Sequence, residues 1–302
     1  MPEADPLFPA LGKVVVQPLV NLLESSSQSG AAARSMSKVP TLSSRQFYGR
    51  RYGRPLRSKL RSLVETLLPK VRLDLPGEAD QIGAAEQTPV DRMPERKPSG
   101  EASAFLDLDA VFDRDAASGE AAPSEKWLEI GFGGGEHLAW QAERHPDIGF
   151  VGAEYFFNGI ASLLRHIDDR GLQNLRIYDG DVRDLLPRLA DGAIARVFIL
   201  FPDPWPKSRH NKRRLVQDET LDELARVMAD DAELLLATDD PDYLSWMLEH
   251  LVRRRDFSWT ARNAQDWRDS PDDWQETRYE RKAIEAGRQT AHLRFRRLPR
   301  TG

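Results

Sequence analysis

The chain has 302 residues, with 40% hydrophobic and 30% charged residues, no cysteine and a formal net charge of −5. That length supports one sizeable core, and the lack of cysteine excludes disulfides, thiolate metal sites and a cysteine nucleophile, including the thiolate attack that activates carbon 5 of a pyrimidine. The acidic balance argues against a general nucleic-acid coat but not against a local basic face; no apolar run has the length of a membrane span, and the six histidines show no metal-ligand spacing.

Residues 1–44 mix Pro, Ser, Ala and Gly with little periodicity and read as a disordered N-terminal extension. The short apolar run Val14–Leu23 is interrupted by Pro18 and lacks the flanks of a signal peptide, so a cytoplasmic protein is expected, with Met36 a candidate start. Residues 45–73 change character. Arg45, Arg50, Arg51, Arg54, Arg57, Lys59, Arg61, Lys70 and Arg72 face one acid, Glu65, and Leu60, Leu63, Leu67 and Leu68 recur at helical spacing. A basic arm with a short amphipathic helix is expected, and RNA contact and a solvated charged helix both remain open. Residues 74–124 form an acidic Ala/Pro/Gly-rich linker, in which Phe105–Phe112 carries apolar residues able to dock on the following domain.

Residues 125–302 alternate between strand and helix patterns. Strands are expected at Trp127–Ile130, Phe150–Glu154, Leu175–Tyr178, Arg196–Phe201 and Glu233–Ala237. Helices are expected at Glu136–Glu143, Gly159–Asp169, Val182–Leu189, Asp218–Met228 and Pro241–Arg254. This alternation predicts an α/β, Rossmann-like, doubly wound and mostly parallel sheet, with Phe257–Ala261 and His292–Arg297 as a terminal antiparallel pair.

The first strand runs into Gly131-Phe132-Gly133-Gly134-Gly135-Glu136, where Gly131 and Gly133 let the backbone pass close to a ligand. A dinucleotide fingerprint would end in glycine; here Glu136 stands in its place, and a carboxylate there repels a pyrophosphate. A donor without phosphate and with a cationic sulfur, S-adenosyl-L-methionine, suits the acid Glu129. Glu154 ends the second strand, where acids accept hydrogen bonds from ribose hydroxyls. Asp181 follows the third strand, placed for the adenine amino group. One such acid reads equally well as a helix cap; three at successive strand ends favour the donor.

After the fourth strand comes Pro202-Asp203-Pro204-Trp205-Pro206-Lys207, a stiff loop beyond a carboxyl strand end. Asp203 and Trp205 there suit a flat nucleobase, one by accepting hydrogen bonds and the other by stacking. Lys207, Arg209, Lys212, Arg213 and Arg214 follow at once, with His210 among them, a density fit for backbone phosphates and hence a polynucleotide substrate. For Pro271–Arg288 the residues alone leave a lid over the base and a packing segment equally open.

The run from Phe201 to Arg214, with Leu128–Gly133, Ala237-Thr238-Asp239 and Thr277–Glu280 in order, resembles the signature of the bacterial tRNA (guanine-N7-)-methyltransferases, the TrmB family. The resemblance spans roughly residues 45–72 and 125–300 and implies a class I methyltransferase fold. It implies methylation of guanine 46 in the tRNA variable loop by a cytoplasmic RNA-binding enzyme, without metal, acting as monomer or homodimer. It further implies Asp203 as the catalytic residue and Glu129, Gly131, Gly133, Glu154 and Asp181 at the donor. Lys207, Asp239, Thr277, Arg278, Tyr279 and Glu280 would meet the substrate base, and Arg209, His210, Asn211, Lys212, Arg213 and Arg214 the RNA. Three rivals fit less well: an exocyclic amino-group methyltransferase, a catalytically silent tRNA-binding module and a nicotinamide dehydrogenase.

Overall fold

A computed structural model describes residues 49–75, 105–113 and 123–300. The expectations for residues 1–44, for Arg45 and for most of the linker lie outside the described residues. In chain order the elements are α1 (Ser58–Thr66), α2 (Leu68–Val71), α3 (Leu108–Asp113), β1 (Glu125–Ile130), α4 (Glu136–Arg144), β2 (Ile148–Ala153), α5 (Phe157–Arg170), β3 (Leu175–Tyr178) and α6 (Val182–Leu185). They continue with β4 (Ile194–Leu200), α7 (Asp218–Val227), β5 (Met228–Thr238), α8 (Pro241–Val252), β6 (Phe257–Trp259), α9 (Gln265–Arg268), α10 (Arg278–Glu285) and β7 (Ala291–Arg297).

The strands form one sheet in the order β3-β2-β1-β4-β5-β7-β6. β1 to β5 are parallel, and β7 runs antiparallel between β5 and β6. The expected α/β sheet with antiparallel terminal strands is thus the one observed. The chain winds outward from β1 to β3, then returns to place β4 on the other side of β1. That reversal opens a crevice beyond the carboxyl ends of β1 and β4, the place where doubly wound sheets bind ligands.

Period-two alternation sorts the strand residues between two faces. Leu128, Ile130, Val197, Ile199, Leu234 and Leu236 pack toward α7 and α8. Phe150, Leu175 and Ile177 face α4 and α5. α5 shows why its stretch is helical: Phe157, Ile160, Ala161, Leu164 and Ile167 recur along one buried stripe, and Gly171 stops it in the left-handed conformation at φ 65°.

Some boundaries differ from expectation. Met228 opens β5 rather than closing α7, and Pro187, which has no N–H to donate, leaves α6 only four residues long before a short 3₁₀ turn, Leu186–Arg188. The basic arm is bound into the core instead of standing free. α1 packs along α5, burying Leu63 and Val64, and Leu73 N–H donates to Ile177 O at 2.8 Å beside β3. The Phe105–Phe112 stretch docks as well: Leu106 N–H donates to Arg188 O at 2.7 Å, and the Phe112 ring fills the space over Gly149, 3.0 Å from where a Cβ would stand. Among the described residues no helix is long and apolar enough to cross a membrane.

Phe112 is buried with 5% of its surface exposed. Phe112→Ala should lower the unfolding free energy by about 3 kcal/mol, the range for a truncated core aromatic, measured by urea denaturation. A change within experimental error would mean that the 105–113 segment is not anchored on the sheet.

Candidate active site

A cleft of about 390 Å³ opens at the carboxyl ends of β1 to β4. Its lining includes Gly131 and Gly133 after β1, Glu154 after β2, Asp181 after β3 and Phe201, Asp203 and Trp205 after β4, with Tyr279 reaching over from α10. Gly131 (φ 74°) and Gly133 (φ 56°) both hold the left-handed conformation, and a Cβ on Gly133 would stand 2.9 Å from the Tyr279 ring. Glycine is therefore required here by backbone conformation and by the aromatic ring laid against it.

The cleft acids differ in their partners. Glu154 accepts from Gly133 N–H at 2.8 Å and Phe156 N–H at 2.7 Å, and pairs with no cation among the described residues. Burial pushes its carboxyl above the usual range; backbone donors from Phe156, Gly133 and Tyr155 oppose the rise, and the nearby Asp203 charge adds to it. Asp203 opens onto the cleft and has no hydrogen-bond or ion-pair partner among the described residues. The protein wall around it withdraws enough water to raise its carboxyl too. Asp181 caps α6 by accepting from Arg183 N–H at 3.0 Å and also pairs with the Arg183 side chain.

The loop after β4 is held in a costly conformation. Phe201 (φ 50°) and Trp205 (φ 46°) are left-handed although neither is glycine. Arg214 supports the loop from below. Its Nε donates to Pro204 O at 2.8 Å, it pairs with Asp242, and its guanidinium lies 5.0 Å from both the Tyr243 and Trp246 ring centres. Arg213 sits 5.0 Å from the Trp205 ring centre, and His210 meets that ring edge-on at 6.0 Å.

The basic run is consequently divided. Lys207, Arg209 and Lys212 are exposed, the first just before and the other two on a 3₁₀ turn spanning Ser208–Arg213. Arg214, expected at the RNA, is instead buried at 2% exposure, with its charge already engaged. Asn211 is half-buried, and its carbonyl accepts from Arg214 N–H at 3.0 Å.

Three of the expected donor and base ligands are buried outside the cleft lining. Glu129 projects to the face of β1 opposite Ile130 and bonds His137 Nδ1 at 2.7 Å, both side chains being buried. Thr277 is the buried N-cap of α10, its Oγ1 accepting from Glu280 N–H at 3.0 Å. Glu280 is buried as well, accepting from Trp274 Nε1 at 2.6 Å and bonding His292 Nε2 at 3.1 Å. The physical reason is helical geometry: with Thr277 and Glu280 turned into the protein, Tyr279 is the motif residue that lines the cleft. Arg278 is exposed beside the Tyr279 ring, and Asp239, at the end of β5, accepts from Arg288 Nε at 2.7 Å.

Residues not singled out from the sequence also line the cleft, among them Tyr155, Phe156 and Arg183, together with Arg50 of the basic arm. Tyr155 and Phe156 follow Glu154 directly, so adjacency to a strand-end acid was a usable signal. His137 and His292 carried none, because each meets its glutamate only through the tertiary fold.

A family model described as "Putative methyltransferase" matches residues 124–293. A protein of Rhodospirillum rubrum named tRNA (guanine-N(7)-)-methyltransferase is 44% identical, over 88% of this chain and 92% of its own length. A protein of Ruegeria pomeroyi with the same name is 44% identical, over 87% of this chain and 99% of its own.

Glu280 offers a test of the buried layer. Burial pushes its carboxyl up, but hydrogen bonds from His292 and Trp274 outweigh this and hold it below its ordinary value of 4.5. A depressed folded value contributes stability above the unfolded value and loses it as pH falls through the folded one. Glu280→Gln should therefore be less stable by about 2 kcal/mol at neutral pH, the scale of hydrogen bonds to a charged group. In urea titrations the difference should shrink once pH drops below 4.5. A gap independent of pH would show that the carboxylate charge does not matter there.

Proposed function

The chain belongs to the bacterial tRNA (guanine-N(7)-)-methyltransferases, and from that membership we propose how its strand-tip cleft transfers a methyl group from S-adenosyl-L-methionine to guanine N7 of tRNA. The donor supplies an electrophilic methyl group on a sulfonium cation. The residues present suit such a donor: Gly131 leaves backbone open at the cleft, and Glu154 and Asp203 carry no neutralising cation. The same acids repel a phosphate, which weighs against a dinucleotide cofactor. A volume of about 390 Å³ lies within the range of small-molecule sites. Glu154 keeps lone pairs free for the ribose hydroxyls, and Asp181 stands at the adenine side of the cleft.

Guanine N7 has an exposed lone pair and needs no deprotonation, so the protein's work is positioning and charge stabilisation, with positioning worth roughly 7–11 kcal/mol in favourable cases. Asp203 accepts hydrogen bonds from guanine N1–H and the exocyclic amino group, which turns N7 toward the donor. Its negative charge offsets the positive charge that methylation places on the purine. Trp205, backed by Arg213, offers the ring on which the base stacks. Exposed Lys207, Arg209 and Lys212 meet the ribose-phosphate chain outside the cleft, so binding weakens with salt. Among the described residues no group of three metal-ligating side chains could hold a metal ion.

The observation that carries this reading is an unpartnered carboxylate on a strained loop facing the glycine turn across one cleft. Methyl transfer to bulk unmodified tRNA followed by nucleoside mapping should give 7-methylguanosine at position 46, the site implied by the family resemblance. Asp203→Asn should lower turnover about 100-fold, the scale for loss of one oriented charge-stabilising group, with tRNA affinity unchanged in a gel shift. Near-normal turnover in that variant would remove Asp203 from the reaction.

A further inference from the structure

The outer wall of the cleft does not come from the sheet. Gly49 and Arg50, from the basic arm, line it beside Glu154, Tyr155 and Asp181. The next residue, Arg51, turns inward and keeps 10% of its side-chain surface exposed. Its Nη1 donates to Tyr155 O at 2.8 Å and to Asp179 O at 2.9 Å. Its Nη2 lies 3.6 Å from the Asp179 carboxylate, and its guanidinium stands 4.9 Å from the Tyr155 ring centre. The two carbonyls belong to different strand-tip loops. One follows Glu154 directly, and the other precedes Asp181 by two residues.

The rest of the arm is fixed to match. Phe157 N–H donates to Arg51 O at 2.8 Å, Gly53 N–H to Asn158 Oδ1 at 2.7 Å, and Asn158 Nδ2 to Arg54 O at 2.7 Å. Arg72, at the other end of the arm, pairs with the same Asp179. A cation so placed is not available to a phosphate, and its planar fork suits the bridging of two carbonyls.

We infer that Arg51 is a positioning residue for the methyl donor: by tying the loop after β2 to the loop after β3, it fixes Glu154 and Asp181 at their separation, and the arm closes the adenosine side of the cleft. This rests on the donor site proposed above. It also gives the arm a role that its basic composition conceals, since Arg51 and Arg72 turn inward to Asp179 while other cations of the arm are exposed.

The test is calorimetric titration of S-adenosyl-L-methionine into the full chain without RNA, alongside a gel shift with tRNA without donor. Arg51→Ala should weaken donor binding on the order of ten-fold, as expected for lost charge-assisted hydrogen bonds, and leave tRNA affinity unchanged. Lys59→Ala, which removes only the exposed ion pairs from the arm to Asp168 and Asp169 on α5, should bind donor as the wild type does. Should Arg51→Ala fail to fold, Arg51→Lys keeps the charge without the fork and should still bind donor more weakly at an unchanged unfolding temperature. Wild-type donor affinity in a folded Arg51 variant overturns the inference. So does an equal loss of donor and tRNA affinity, or an equal loss in Lys59→Ala. A wild-type chain that ignores the donor removes the functional proposal itself, which keeps the two failures distinct.

Discussion

Among the described residues, two carboxylates at one cleft stand without a paired cation, while several other acids are paired. Asp179 has Arg51 and Arg72, Asp181 has Arg183, Asp242 has Arg214 and Asp273 has Arg196. Glu154 takes only backbone N–H groups, and Asp203 has no hydrogen-bond or ion-pair partner among the described residues. The Asp203 charge adds to the rise at Glu154, and burial raises both. Folding alone gains nothing from such a pair, so a site that keeps it is set up for a positive ligand. The sheet makes this possible, because the reversal between β1 and β4 gathers strand ends that are distant in sequence around one opening.

The loop after β4 carries a second cost, the left-handed Phe201 and Trp205. That cost is met by Arg214, which spans the loop carbonyl of Pro204, the Asp242 carboxylate and the rings of Tyr243 and Trp246. One run of cations is thus divided in two. Arg213 and Arg214 lie against aromatic rings of the loop and its support, while Lys207, Arg209 and Lys212 are exposed. A lysine in place of Arg214 would lack the planar fork and the stacking surface that the position uses.

What the sequence made legible was whatever depended on neighbours along the chain. Strand periodicity, the glycine turn at 131–135, Glu154 and Asp181 at strand ends and the proline-stiffened loop were all local patterns, and these last residues line one cleft. The rest was carried by contacts between remote segments. Arg51 and Arg54 look alike in the arm, yet one is nearly buried and the other exposed, because only Arg51 falls opposite the carbonyls of Tyr155 and Asp179. Glu129 read as a donor ligand from its place at a strand end. The pleat turns its side chain to the other face, where His137 waits at the start of α4.

That other face explains how residues behind the cleft bear on it. Gln141 Nε2 lies 3.3 Å from His137 Nε2 and donates to Asp273 O at 2.9 Å, which ties α4 to the segment before α10. Trp274 sits between the two histidines, its ring centre 5.1 Å from that of His137 and 4.8 Å from that of His292. Its N–H goes to Glu280, which also bonds His292 on β7. Glu280 is one residue beyond Tyr279, so this buried layer sets the first turn of α10 and with it the ring that lies against Gly133. The segment from Thr277 to Glu280 therefore acts on the cleft through Tyr279, with its buried members serving as the anchor, and a side chain on Gly133 would meet the Tyr279 ring.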